Sequence, residues 1–176
     1  SLVLMPVIAV LVLTWRGSFQ VKDLKVLGEV PPFQLTERSG TTKSLEDLKK
    51  NVWVLSFFCM SCNDLAPLVA LESQKISKAL LFKENFRMVT VALDPAKDSP
   101  SQIVEFASSW KADPFKWWFL TGPLEEVEKL KTMAPEPQSQ FVLVDHLGRV
   151  RGQYELQDST QMKQLLKDAK RLLKKA

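Results

Sequence analysis

The sequence predicts an α/β fold of three layers, and three observations carry that prediction. Residues 52–58, 86–93 and 141–145 are near-continuous apolar runs, the pattern of strands buried on both faces of a sheet. The intervals between them carry apolar residues at helical spacing, and the chain closes on a helix of the same kind. Cys59 and Cys62, spaced C-x-x-C, stand directly after the first run and open a helical stretch. Strand, helix, strand, helix, antiparallel hairpin and final helix, with a cysteine pair at that place, make a thioredoxin-like topology.

Taken in order, residues 2–13 are an unbroken apolar run, followed by Thr14, Trp15 and Arg16. As a helix, Ser1 to Trp15 spans about 22 Å, short of the roughly 30 Å hydrocarbon core. Trp15 and Arg16 fit an interfacial anchor at the end of such a span. Residues 1–16 are therefore expected to be a membrane anchor, the truncated end of a transmembrane helix. Residues 17–30 form a connector, and residues 31–176 a single domain.

In that domain Phe33 to Thr36 alternates as a strand, and Ser39-Gly40 turns it back into Thr41-Thr42-Lys43 as a hairpin. Ser44 with Asp47 three residues on is a capping box for a short helix. The first core strand, 52–58, leads to a helix within 63–83, where Leu65, Leu68, Val69, Ile76, Ala79 and Leu80 recur at helical spacing. The second, 86–93, ends at Asp94-Pro95. Ser99 caps a helix whose first position is Pro100. Residues 117–120 read as a strand and 123–132 as a helix. Phe141 begins the third core strand, which His146-Leu147-Gly148 turns into 149–154. The last helix places Met162, Leu165, Leu166, Ala169, Leu172 and Leu173 on one face, with its lysines opposite.

Charge narrows the function classes. The formal net charge is +4, yet residues 161–176 alone carry six basic residues against Asp168, so the body of the chain is near neutral. A nucleic-acid protein needs a basic stripe within the fold, and there is none. Nothing resembles a phosphate-binding glycine loop, since Gly148 and Gly152 belong to a hairpin. Glu125, Glu126 and Glu128 read as a solvated helix face. With a single histidine, His146, multi-histidine sites are excluded, and a zinc site would lack two ligands.

The chemistry therefore rests on Cys59 and Cys62. A thiol before a helix N-terminus has its thiolate favoured by the macrodipole and free N–H groups, and a second thiol three residues on can resolve a mixed disulfide. For this the two Cα atoms must stand about 4.4–6.8 Å apart. Two thiolates can equally hold Cu(I).

Longer stretches of wording point to a family. Gly28-x-Val30-Pro31-x-Phe33-x-Leu35-Thr36, the strand from Val52, Asp94-Pro95-x-x-Asp98-Ser99-Pro100, Trp118-Phe119-Leu120-Thr121-Gly122, and Leu143-Val144-Asp145-x-x-Gly148-Arg149-Val150-Arg151-Gly152 together resemble the SCO/SenC family over residues 28–173. Its members are membrane-anchored thioredoxin-fold proteins that help build the copper sites of cytochrome oxidase. The resemblance implies a copper site of two cysteines spaced C-x-x-x-C-P and a distant histidine. Placed on that pattern, Cys62 fills the first cysteine slot, Ala66 stands in the second and Pro137 in the histidine slot. Two of three ligands are missing. Cys59 to Pro67 instead follows the thioredoxin pattern C-x-x-C-x-x-x-A-P.

The resulting expectation is a divergent SCO-like protein associated with cytochrome oxidase or another respiratory-complex subunit. It would sit on the periplasmic face of a bacterial cytoplasmic membrane or the intermembrane-space face of the mitochondrial inner membrane. Copper, as Cu(I), or thiol chemistry would be confined to Cys59 and Cys62. Trp110, Trp117 and Trp118 read chiefly as core and rim aromatics, and any exposed among them would cover a partner. The alternative is a thiol–disulfide oxidoreductase using the same pair.

Overall fold

The computed structural model describes residues 23–61 and 64–176, so the apolar run at 2–13, and Cys62 with it, lies outside the described residues. The strands are β1 (Gly28–Glu29), β2 (Gln34–Glu37), β3 (Thr42–Ser44), β4 (Val52–Phe58), β5 (Phe86–Ala92), β6 (Trp117–Thr121), β7 (Gln140–Val144) and β8 (Arg149–Glu155). They form one sheet in the order β1-β8-β7-β4-β5-β6-β2-β3. β4, β5 and β6 are mutually parallel, while β7 runs antiparallel to β4 and β8 antiparallel to β7. The helices are α1 (Leu45–Leu48), α2 (Ala66–Ala79), α3 (Pro100–Ser109), α4 (Leu124–Lys131) and α5 (Ser159–Leu173). This is the mixed α/β, thioredoxin-like fold that the element order predicts.

The apolar runs work through their period of two. Val52, Val54 and Phe58 of β4 join a core with α2, α3 and α5, whereas Trp53, Leu55 and Phe57 join the opposite core, which α4 and Leu48 of α1 close. β6 divides in the same way: Trp117 and Phe119 face one core, Trp118 and Leu120 the other. This bears out the core reading of these aromatics and corrects their use as a partner surface. Trp117 is 1% and Trp118 8% exposed, each buried on its own side of the sheet. Trp110 packs against the first core, 6.4 Å from the Phe106 ring. Adjacent residues on a strand buried on both faces have no solvent side to point to.

Local signals read from the chain form as expected. Ser44 and Asp47 make the capping box, and the Ser99 hydroxyl accepts from the Gln102 N–H ahead of Pro100. The hairpin pairs Leu35 with Lys43. Glu126 departs from its expected role as a solvated residue: its carboxylate pairs with Lys129 and accepts the Gln34 N–H, tying α4 to β2.

The strand directions give the domain two ends. Cys59, following β4, and Leu93–Asp94, following β5, stand at one end, with Gln138 just before β7. The turns entering β4, β5 and β6, and the β7–β8 turn, stand at the other.

Candidate functional site

Cys59 terminates β4, the most deeply buried strand, and is itself buried. Its neighbours are Phe57, Phe58, Leu65, Ala66, Val69, Leu93 and Gln138. It is disulfide-bonded, and no free cysteine occurs among the described residues. Its Sγ lies 3.6 Å from the Ser61 hydroxyl, which must be the donor because a disulfide sulfur carries no proton. Cys62 lies outside the described residues, as does the Cα separation expected for the pair.

An open cleft of about 550 Å³ adjoins this site, lined by Leu93, Asp94, Leu124, Lys131, Glu136, Pro137 and Gln138. Leu93 and Gln138 belong to both, so the cleft opens beside Cys59. Its lining mixes apolar side chains with charges of both signs.

Ala66 and Pro137, which the family resemblance implies stand in two ligand slots, lie near Cys59 and along the cleft respectively. Ala66 touches the surroundings of Cys59, and Pro137 lines the cleft with Gln138 inside it. Neither side chain can donate to a metal. His146 cannot substitute. Trp53 pairs with Val144, so the turn carrying His146 is at the end of β4 away from Cys59, about 20 Å along the strand. Among the described residues no group of three or more His, Cys, Asp or Glu side chains is placed to hold a metal ion. The three-ligand copper set does not fit this chain.

One site residue escapes sequence reading. Asp98 sits in the Asp94–Pro100 stretch, which reads as a strand end and helix cap, yet its carboxyl is buried and receives a hydrogen bond from the backbone of Met60, between the cysteines. Its Oδ2 makes no hydrogen bond among the described residues. Burial pushes this carboxyl above the usual range, as does the charge of Asp94, against the Met60 bond. Its traces in the sequence are the two aspartates four apart and the family resemblance, which implies that this stretch lies near the metal face.

Comparison with known proteins now decides the lineage. The model of the SCO1/SenC family matches residues 24–174. The chain belongs to the SCO1/SenC family. A SCO1 protein homolog of Bacillus subtilis (strain 168) is 29% identical over 169 residues, covering 88% of this chain and 87% of the relative. Among solved structures, a SCO1/SenC family lipoprotein from Bacillus anthracis superposes with a TM-score of 0.73 at 27% identity, over 84% of this chain and 97% of that one. BsSco is a member of the Sco family of cytochrome c oxidase assembly proteins in which a disulfide switch has been identified. It superposes with a TM-score of 0.72 at 26% identity, over 86% and 97% of the two chains. This SCO1/SenC chain thus keeps the family's fold.

Proposed function

We propose that this chain works at cytochrome oxidase, as an assembly factor or an attached accessory subunit, with its chemistry confined to Cys59 and Cys62. A membrane anchor at residues 1–16 would hold it on the periplasmic or intermembrane-space face, and the cleft beside Cys59 would receive a respiratory-complex partner. The observation that carries this reading is a family site with Ala66 and Pro137 in place of ligands, next to a Cys59 held in a disulfide. Such a scaffold suits lasting attachment or thiol chemistry better than copper hand-off.

Two measurements test it. In a mild-detergent membrane extract separated under native conditions, the chain is expected to comigrate with a large respiratory complex. Migration as a free monomer would remove the subunit reading. Titrated with Cu(II), the reduced protein should show no intense thiolate charge-transfer band, whereas the Ala66→Cys/Pro137→His variant should gain one. At best the native pair holds Cu(I) between two thiolates.

A second reading, a thiol–disulfide oxidoreductase, is favoured by the disulfide at Cys59 beside a cleft. In that reaction a substrate dithiol is oxidised as the Cys59–Cys62 disulfide is reduced, through a mixed disulfide. The exchange is reversible. In a Cys62→Ser variant the Cys59 thiolate would attack a disulfide-bearing oxidase subunit, releasing one of its sulfurs as a thiolate. Accumulation of that mixed disulfide would place this reading first.

A further inference from the structure

We infer that the end of the sheet opposite Cys59 rests on an anionic lipid bilayer, the one in which the chain's own apolar run is embedded. The inference rests on the anchor reading above. It is carried by where exposed apolar side chains gather and where the described chain begins.

Phe82 is 93% exposed, Phe115 78% and Leu147 60%. They lie in three separate turns: Phe82 before β5, Phe115 before β6, and Leu147 between β7 and β8. The register brings all three turns to one end, since Val52 pairs with Phe86, Met88 with Trp117, and Trp53 with Val144. The Phe82 and Phe115 turns are tied together, the Lys116 ammonium donating to the carbonyls of Lys83 (2.8 Å) and Glu84 (3.3 Å). Aromatic side chains this exposed are unfavourable in water and suit insertion at a membrane interface.

Lys50, Lys83 and Lys111 stand exposed in the same set of turns. Of the acidic residues there, Asp113 caps its own turn by accepting the N–H groups of Phe115 and Lys116, and Asp145 is buried against Arg149 and Arg151. Asp23 is paired with Arg151 and Lys175, Glu46 with Lys49, and Asp47 caps Ser44. Among the described residues of these turns Glu84 alone makes no such bond, and it faces three lysines. Apolar tips interleaved with lysines complement anionic headgroups.

The chain also starts at this end. Asp23 is paired with Lys175, just past the C-terminus of α5, at 3.1 Å, and with Arg151, near the start of β8, at 3.3 Å. Arg151 also binds the carbonyls of Leu24 and Lys25, which fixes the exit point. Residues 14–22 separate the apolar run from Asp23, at most about 35 Å when fully extended. A tether of that length lets this end reach the lipid, with Cys59 and its cleft about 20 Å up the strands.

The test uses the full chain with two kinds of vesicle, zwitterionic phosphatidylcholine alone and the same lipid with a minority of phosphatidylglycerol. A water-soluble amine-acylating reagent is read lysine by lysine by mass spectrometry. Lys97, beside Asp94 at the Cys59 end, is the internal reference. On anionic vesicles, labelling of Lys50, Lys83 and Lys111 relative to Lys97 should fall by about threefold or more against detergent micelles, with partial return at about 0.5 M salt. Phe82→Ser/Phe115→Ser should abolish the protection, and since both side chains are exposed the variant should fold. An unchanged ratio in vesicles and micelles overturns the inference. Flotation with zwitterionic vesicles reports on the anchor separately. A chain that fails to float there sinks the anchor reading, while protection on anionic vesicles still decides this inference either way.

Discussion

Asp98 shows what a single buried carboxyl does to a site of this kind. Held above its ordinary range by burial, it keeps its proton to a higher pH in the folded chain than in the unfolded one. The folded state therefore binds more protons above pH about 4, and the stability it contributes declines as pH rises through the folded value. Asp98→Asn keeps an acceptor for the Met60 N–H and removes the charge. The variant is expected to melt higher than the parent at pH 7, with the advantage shrinking towards pH 4, as followed by circular dichroism. A variant that melts lower at pH 7 would show that the ionised carboxylate is stabilised by a group not among the described residues.

At the scale of elements, the β7–β8 hairpin is the joint between the sheet and the incoming chain. Asp145 accepts from the backbone N–H groups of Leu147 and Arg149, and from the side chains of Arg149 (2.9 Å) and Arg151 (2.7 Å). Burial raises this carboxyl, but the hydrogen bonds from Arg149 and Arg151 outweigh it and hold it below the ordinary range. Gly148 closes the turn at φ +76°, a conformation costly to other residues. Arg151→Met leaves Asp145 buried with one arginine fewer and should cost about 3–5 kcal/mol in urea denaturation at pH 7. A depressed carboxyl contributes stability that is present above pH about 4 and lost as pH falls through its folded value, so the gap between variant and parent should narrow below pH about 4. The same substitution frees Leu24 and Lys25, which hydrogen exchange over residues 23–29 would register.

Over the whole molecule, the sheet carries thiol chemistry at one end and apolar tips with the chain entry at the other. The disulfide proposed between Cys59 and Cys62 closes a ring of only four residues. Its contribution through the unfolded chain is accordingly small, about 2 kcal/mol, and reduction should lower Tm by about 4–8 °C without loss of the fold. A Tm that rises on reduction, in scanning calorimetry with and without dithiothreitol, would mark a strained disulfide of the oxidising kind.

Sequence alone determined the elements of this protein. Apolar runs longer than a turn, caps at Ser44 and Ser99, and the glycine of the Asp145–Gly148 turn act over a few residues, so they are legible wherever the chain is read. The placement of Ala66 and Pro137 in the ligand slots is what the family resemblance implies, since it needs the family's pattern as well as the spacing of this chain. Only the tertiary structure decided what meets what. Strand order and register carry Asp98 to Met60, put His146 at the wrong end of β4, bury Trp117 and Trp118 on opposite faces, and collect Phe82, Phe115 and Leu147 from three distant turns. Those juxtapositions depend on which strands pair and in which direction, a long-range choice made by burying both faces of the sheet at once, and no local pattern in the chain encodes it.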